Sequence, residues 1–245
     1  MRVRVEGPDS STKPALVFIH GAGGSATIWL DLFRHFERSR RVVALDLPGH
    51  GQSEPFHDVS DSNRIQKYAD AVLFACAELK IDRAVLVGHS MGGLVALAAA
   101  AASPASVVGL VLLASAPGLK PSKDMLAALA EKREQHASLM EPLMWSAATA
   151  RDTIERWSKT TMSADPDVTI ADFRACAAFD AATVLQPTLL IGGQDDPLCS
   201  PRFMAKGAAR LPAGELQVVS DASHFMFLER PDISIAAIER FLSFV

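Results

Sequence analysis

Short, nearly unbroken apolar runs recur along this chain, separated by longer stretches in which apolar residues return every three or four positions. Residues 15–19, 41–45, 84–87, 107–113, 188–191 and 215–219 are the runs, each too short for a helix and bounded by polar or turn-forming residues. Between them, residues 29–36, 62–80, 94–102, 202–210 and 232–245 carry helical spacing. The clearest stretch is 62–80, where Ile65, Ala69, Val72, Leu73 and Cys76 share one face. Strands that are apolar at every position, with no alternation, are strands covered on both faces, as in a parallel sheet. The pattern predicts an α/β fold: a mostly parallel central β-sheet flanked by helices on both faces. Residues 2–6 add one edge strand, and the segment before Pro14 is short for a two-strand hairpin.

The alternation stops after Pro117-Gly118 and resumes at Pro187. In between, Met, Leu and Trp recur at helical spacing without a convincing strand. This predicts a small helical cap insertion, with 1–118 and 181–245 forming the core domain and 119–180 the cap. Methionine, flexible and polarizable, suits a lid over small apolar groups, and equally suits ordinary packing. Residues 84–119 contain no Asp, Glu, Lys or Arg, which raises the question of a membrane span. Ser103-Pro104 interrupts the stretch, and its helical part is far shorter than a bilayer requires, so no membrane association is expected.

With 245 residues and 49% hydrophobic content, the chain can bury one sizeable core. A net charge of -4 and the lack of a basic run argue against a nucleic-acid partner. Cys76, Cys176 and Cys199 are odd in number and lack metal-ligand spacing, as expected of reduced thiols in a cytoplasmic protein. The N-terminus lacks the apolar core of a signal peptide.

The chemistry concentrates at strand ends. Residues 88–92 read Gly-His-Ser-Met-Gly, after an apolar run and before an alanine-rich helix. That context makes Gly-x-Ser-x-Gly a candidate nucleophile elbow, a strained turn that lifts Ser90 Oγ off the sheet. A serine needs a base, and the base an orienting acid. Asp195 and Asp196 follow the run 188–191, and His224 follows 215–219. Serine, acid and histidine therefore come in the chain order this scaffold uses, all at carboxyl ends of predicted strands.

With His20-Gly21-Ala22-Gly23-Gly24, residues 45–53, 88–93, 187–196 and 224–231, the chain resembles the α/β-hydrolase superfamily, specifically small-cap serine esterases and lactonases. The resemblance implies Ser90 as nucleophile, His224 as general base and Asp196 as the acid, three residues past Gly193. It puts oxyanion-hole N–H groups at Ala22 and Met91, with Asp195 and Asp221 as turn carboxylates. It implies no cofactor and no metal: His20, His50 and His89 lack metal spacing and are expected to make structural hydrogen bonds. Trp29 is either a wall of the site or a buried aromatic, and Cys199 is a candidate for the pocket border. The expected activity is hydrolysis of a small, apolar carboxylic ester, lactone or thioester through an acyl-enzyme, with a small ester-like molecule as substrate and no nucleic-acid or membrane partner. Serine at 90 argues against the dehalogenase and epoxide hydrolase relatives, which use aspartate there. Carbon–carbon hydrolases usually carry Trp after the histidine, here Phe225. That alternative, a lyase on the same triad and a slow-turnover hydrolase-fold receptor stay open.

Overall fold

The apolar runs pair into one sheet because each can satisfy its backbone only through neighbours while burying both faces. The computed structural model describes residues 1–8, 12–56 and 59–245. Its strands are β1 (Arg2–Glu6), β2 (Ala15–Ile19), β3 (Val42–Asp46), β4 (Ala84–His89), β5 (Val107–Leu113), β6 (Thr188–Gly193) and β7 (Gly214–Val219). They lie in the order β1-β3-β2-β4-β5-β6-β7. Among the described strands only β1 runs antiparallel, pairing Val3 with Leu45 and Val5 with Val43. Strands β2 to β6 are buried at nearly every position, whereas β7, on the edge, is largely exposed.

Helices α1 (Leu30–Phe36), α2 (Asp61–Glu78), α3 (Met91–Ala102), α8 (Pro201–Ala208) and α10 (Pro231–Leu242) flank the sheet. Helix α2 packs on α3, and α1 on α10. Strand order reverses at β2: the chain goes first to β3 on one side, then to β4 on the other. A crevice opens outside the carboxyl ends of strands at such a switch point, and the glycine turn after β2 and Ser90 after β4 both lie there.

Between β5 and β6 the chain forms α4 (Lys123–Glu131), α5 (His136–Met144), α6 (Arg151–Thr161) and α7 (Pro166–Ala178). Helix α7 packs on α2, α3 and α4, and α6 packs on the 3₁₀ turn Ala26–Trp29 and on the short helix α9 (Met226–Glu229). A buried polar cluster fastens α7 to the core. Tyr68 Oη, on α2, donates to Asp172 Oδ1 at 2.7 Å, and His50 Nε2 lies 2.8 Å from Asp172 Oδ2 with both side chains fully buried. Burial and the Asp172 charge push the Tyr68 hydroxyl's pKa well up, so it stays a donor. A buried carboxylate without such partners would be costly.

No helix among the described residues is long and apolar enough to cross a membrane.

Candidate active site

Ser90 is the residue between β4 and α3, and it has φ 51° and ψ −118°. Positive φ is rare for a residue with a Cβ and costs on the order of 1–3 kcal/mol. The turn is held by Ser90 N–H donating to Leu113 C=O at 2.9 Å and Gly93 N–H donating to Ser90 C=O at 3.0 Å. Gly92 is needed for close approach, since a Cβ there would sit 2.2 Å from the Ile19 carbonyl oxygen. Met91 is the first residue of α3, so its N–H has no intrahelical acceptor and sits at the positive end of the helix dipole.

Opposite lies the turn after β2. His20 Nδ1 donates to Gly21 C=O at 2.8 Å, and Gly24 N–H donates to the same oxygen at 3.2 Å. Because a trans peptide points its N–H away from its C=O, the Ala22 N–H faces away from His20. Ala22, Met91, Ser90 and His224 all line one cavity of about 290 Å³.

The acid and base come from neighbouring loops. Gly193, the last residue of β6, lets them meet: a Cβ there would sit 2.2 Å from the Ser223 carbonyl oxygen. His224 Nδ1 and Asp196 Oδ2 are 2.9 Å apart, both residues buried. Asp196 Oδ1 accepts the Leu198 and Cys199 N–H groups at 2.8 and 2.9 Å. Burial pushes the Asp196 carboxyl up, but the charge and hydrogen bond of His224, with those two N–H groups, outweigh it and hold it below its ordinary range. Asp195 turns elsewhere: its Oδ2 accepts from Ser146 Oγ at 2.5 Å. Asp221 occupies a left-handed turn, φ 51°. The two adjacent aspartates are thus divided, one to the histidine and one to the insertion.

Two residues brace the histidine loop: His89, expected from the sequence to make a structural hydrogen bond, and Glu229, which the sequence did not single out. His89 Nε2 donates to the His224 C=O at 3.1 Å, with its ring edge-on to that of His224, centroids 4.8 Å apart. Burial above all, and the neighbouring His224, drive the His89 pKa well down, so it is a neutral donor. Glu229, on α9, accepts Ser223 N–H at 2.7 Å through Oε2. Its Oε1 accepts Ser146 N–H at 2.8 Å and the Thr149 hydroxyl. Glu229 falls in the stretch 224–231 that carries the family resemblance, but nothing there assigned it a role, and the four residues of α9 are too few to show a helical period.

The other histidines have structural partners. Leu47 N–H donates to His20 Nε2 at 3.0 Å, and burial, then His50, drives the His20 pKa down. Among the described residues no group of His, Cys, Asp and Glu is placed to hold a metal ion. Trp29 is a packing residue, stacked on Phe227 with centroids 4.7 Å apart, and Ile28 lines the cavity instead. Cys199 is buried and, unlike Leu198, does not line the cavity; its thiol is pushed well up by burial and by Asp196. The thiol in the cavity wall is that of Cys176, on α7, raised by burial and Asp172. From the insertion, Met125, Met140, Met144, Met162 and Phe173 line the cavity, with Lys120 among the polar lining groups. Trp157 is buried but faces packing, not the cavity.

A sequence profile of the alpha/beta hydrolase family matches residues 16–237. The chain is similar to a pimeloyl-[acyl-carrier protein] methyl ester esterase of Nitrosospira multiformis, 27% identical over 96% of this chain and 95% of that one. Among solved structures it is similar to a thermophilic esterase from Thermogutta terrifontis. The TM-score is 0.86 and the identity 26%, covering 99% of this chain and 92% of that one. It is also similar to Est816, described as an N-acyl homoserine lactone degrading enzyme, with TM-score 0.85, 26% identity and coverage of 98% and 96%.

Proposed function

The chain belongs to the alpha/beta hydrolase family and is a hydrolase of that fold; from this premise we propose that it is a serine esterase cleaving small, apolar carboxylic esters or lactones. The observation that carries the reading is the 2.9 Å hydrogen bond between Asp196 and His224 at a cavity that Ser90 also lines. With Nδ1 held by Asp196, His224 has Nε2 left to take a proton. Ser90 Oγ attacks the carbonyl carbon as His224 accepts the hydroxyl proton. The Ala22 and Met91 N–H groups bind the oxyanion, where fixed donors are worth most. Collapse expels the alkoxide, which takes the proton from His224, and leaves the acyl-Ser90 ester. Water then gives a proton to His224 and attacks that ester; the acid leaves and Ser90 regains its proton.

The apolar wall of the cavity supports an apolar acyl group, and the relatives named as acting on esters and lactones support that bond type. We read residues 119–180 as a cap on a core of 1–118 and 181–245. Three unpaired, buried cysteines support a cytoplasmic setting. The test is steady-state hydrolysis of p-nitrophenyl esters. The unaltered protein should turn over many times, while Ser90→Ala should lose at least a thousandfold in kcat with an unchanged circular-dichroism spectrum. Activity surviving in Ser90→Ala, or a single burst without turnover in the unaltered protein, would refute the reading.

A further inference from the structure

The catalytic cavity does not end at its methionine wall. A second cavity, of about 180 Å³, is lined by Ala137, Ser138 and Glu141 from α5, by Trp145 just after it, and by Ser158 and Lys159 from α6. Met144, Thr161 and Met162 line both cavities, so the two are separated by a partition of three side chains. Each stands at a helix terminus: Met144 ends α5, Thr161 ends α6, and Met162 is the residue after it. Two of the three are methionines, whose unbranched side chains swing between rotamers at little cost.

Size gives the partition a use. At about 30 Å³ per water-sized atom, the first cavity holds about ten non-hydrogen atoms and the second about six. The carbonyl and the alcohol part of an ester take several places in the first. An acyl chain beyond about eight carbons therefore outgrows it and needs further room.

We propose that the second cavity is an acyl-tail subsite: the substrates include esters or lactones of unbranched acyl chains of about ten to fourteen carbons, whose far end passes between Met144 and Met162. A gate of two slender side chains admits a straight chain and turns away a branched one. The second cavity mixes Ala137, Trp145 and methionine with serine hydroxyls and the charged Glu141 and Lys159, as suits an apolar chain whose end reaches water. The inference rests on the ester-hydrolase reading of Ser90, which assigns the carbonyl end of the chain.

The experiment measures kcat/KM for p-nitrophenyl esters from acetate to tetradecanoate in the unaltered protein and in Ala137→Trp, Ser158→Trp and Met162→Ala. Ala137 and Ser158 line the second cavity alone, so the tryptophans fill it without entering the first. The expected result is that each tryptophan lowers the dodecanoate-to-butyrate ratio of kcat/KM at least tenfold. Met162→Ala, which opens the partition, should raise that ratio. The ratio is internal to each variant, so a loss of folded protein cancels. If neither tryptophan moves the ratio, or if the unaltered protein hydrolyses butyrate but nothing beyond octanoate, the subsite is overturned. Either outcome, with Ser90→Ala inert toward butyrate, leaves the esterase reading standing. Butyrate hydrolysis by Ser90→Ala removes that reading and the subsite with it.

Discussion

Two neighbouring aspartates with different partners make the sharpest test at the scale of single residues. Asp196→Asn keeps the shape of the side chain but puts an amide where His224 Nδ1–H needs an acceptor, favouring the wrong imidazole tautomer. Losses of about 10⁴ in kcat accompany that change in a serine triad, and a comparable fall is expected here. Asp195→Asn, whose side chain bonds Ser146, should cost less than tenfold. Equal losses would return the acid to undecided. Asp196 also predicts an acid limb of stability. A carboxyl held below its ordinary value stabilises the fold above the unfolded pKa of about 3.9. That contribution fades as pH falls through the lower native value. Urea midpoints of the unaltered protein and Asp196→Asn should therefore converge as pH drops below about 4; curves that stay parallel would contradict the assignment. Ser90 and His224 were legible because strand, turn and helix signals frame them. Spacing alone left Asp195 and Asp196 open, since only the path of the loop over Gly193 decides which carboxylate turns inward. Glu229 was missed, and His89 was expected to make a structural hydrogen bond without its partner being named. The reason is that His89 bonds the His224 carbonyl and Glu229 the Ser146 N–H, backbone groups of residues far away in the chain that nothing local encodes.

Among the elements, the strands were the easiest to find and the insertion the hardest. A strand buried on both faces announces itself in four or five apolar letters, as in β2 and β4. Helix α9 has four residues and is separated from α10 by Arg230 alone, so no period can develop before the next helix begins. The helices of the insertion were recognisable as helices, yet their docking was not. Helix α7 is held by Asp172 against His50 and Tyr68, partners on a loop and a helix of the core that carry no mark of it. Asp172→Leu should remove the acceptor of the Tyr68 hydroxyl and the partner of His50 Nε2 and cost about 2–4 kcal/mol. Tyr68→Phe removes one neutral donor and should cost about 1–3 kcal/mol. Chemical denaturation measures both. Because Phe173 and Cys176 stand on the same helix in the cavity wall, Asp172→Leu should also raise KM for longer esters more than for acetate. An unchanged length profile would make the cluster a stability feature only.

In the whole molecule, the site sits where sheet topology puts a crevice, at the reversal of strand order between β2 and β4. The placing of Ser90, the aspartates and His224 at carboxyl ends of strands followed from the apolar runs; the reversal of strand order did not, because the runs do not encode which strands lie side by side. Nor do the runs convey how the insertion closes over the crevice. It does so with four methionines, from α4, α5 and the end of α6, and a second chamber stands behind two of them.

The bracing by Glu229 bears on how such enzymes can be recombined. This carboxylate grips Ser146 and Thr149 with one oxygen and the residue before His224 with the other, while Asp195 takes the Ser146 hydroxyl. A graft that exchanges the helical segment between two relatives at its obvious borders would cut through this joint. It would strand a buried acid beside the loop that carries the histidine. The transplantable module is therefore discontinuous, with the helices, the Ser146–Thr149 turn and the carboxylates at 195 and 229 moving as one set. Chimaeras that carry the set should keep turnover on acetate esters. Those that carry the helices alone should fold and bind but lose kcat, a difference that a single plate of paired grafts would reveal.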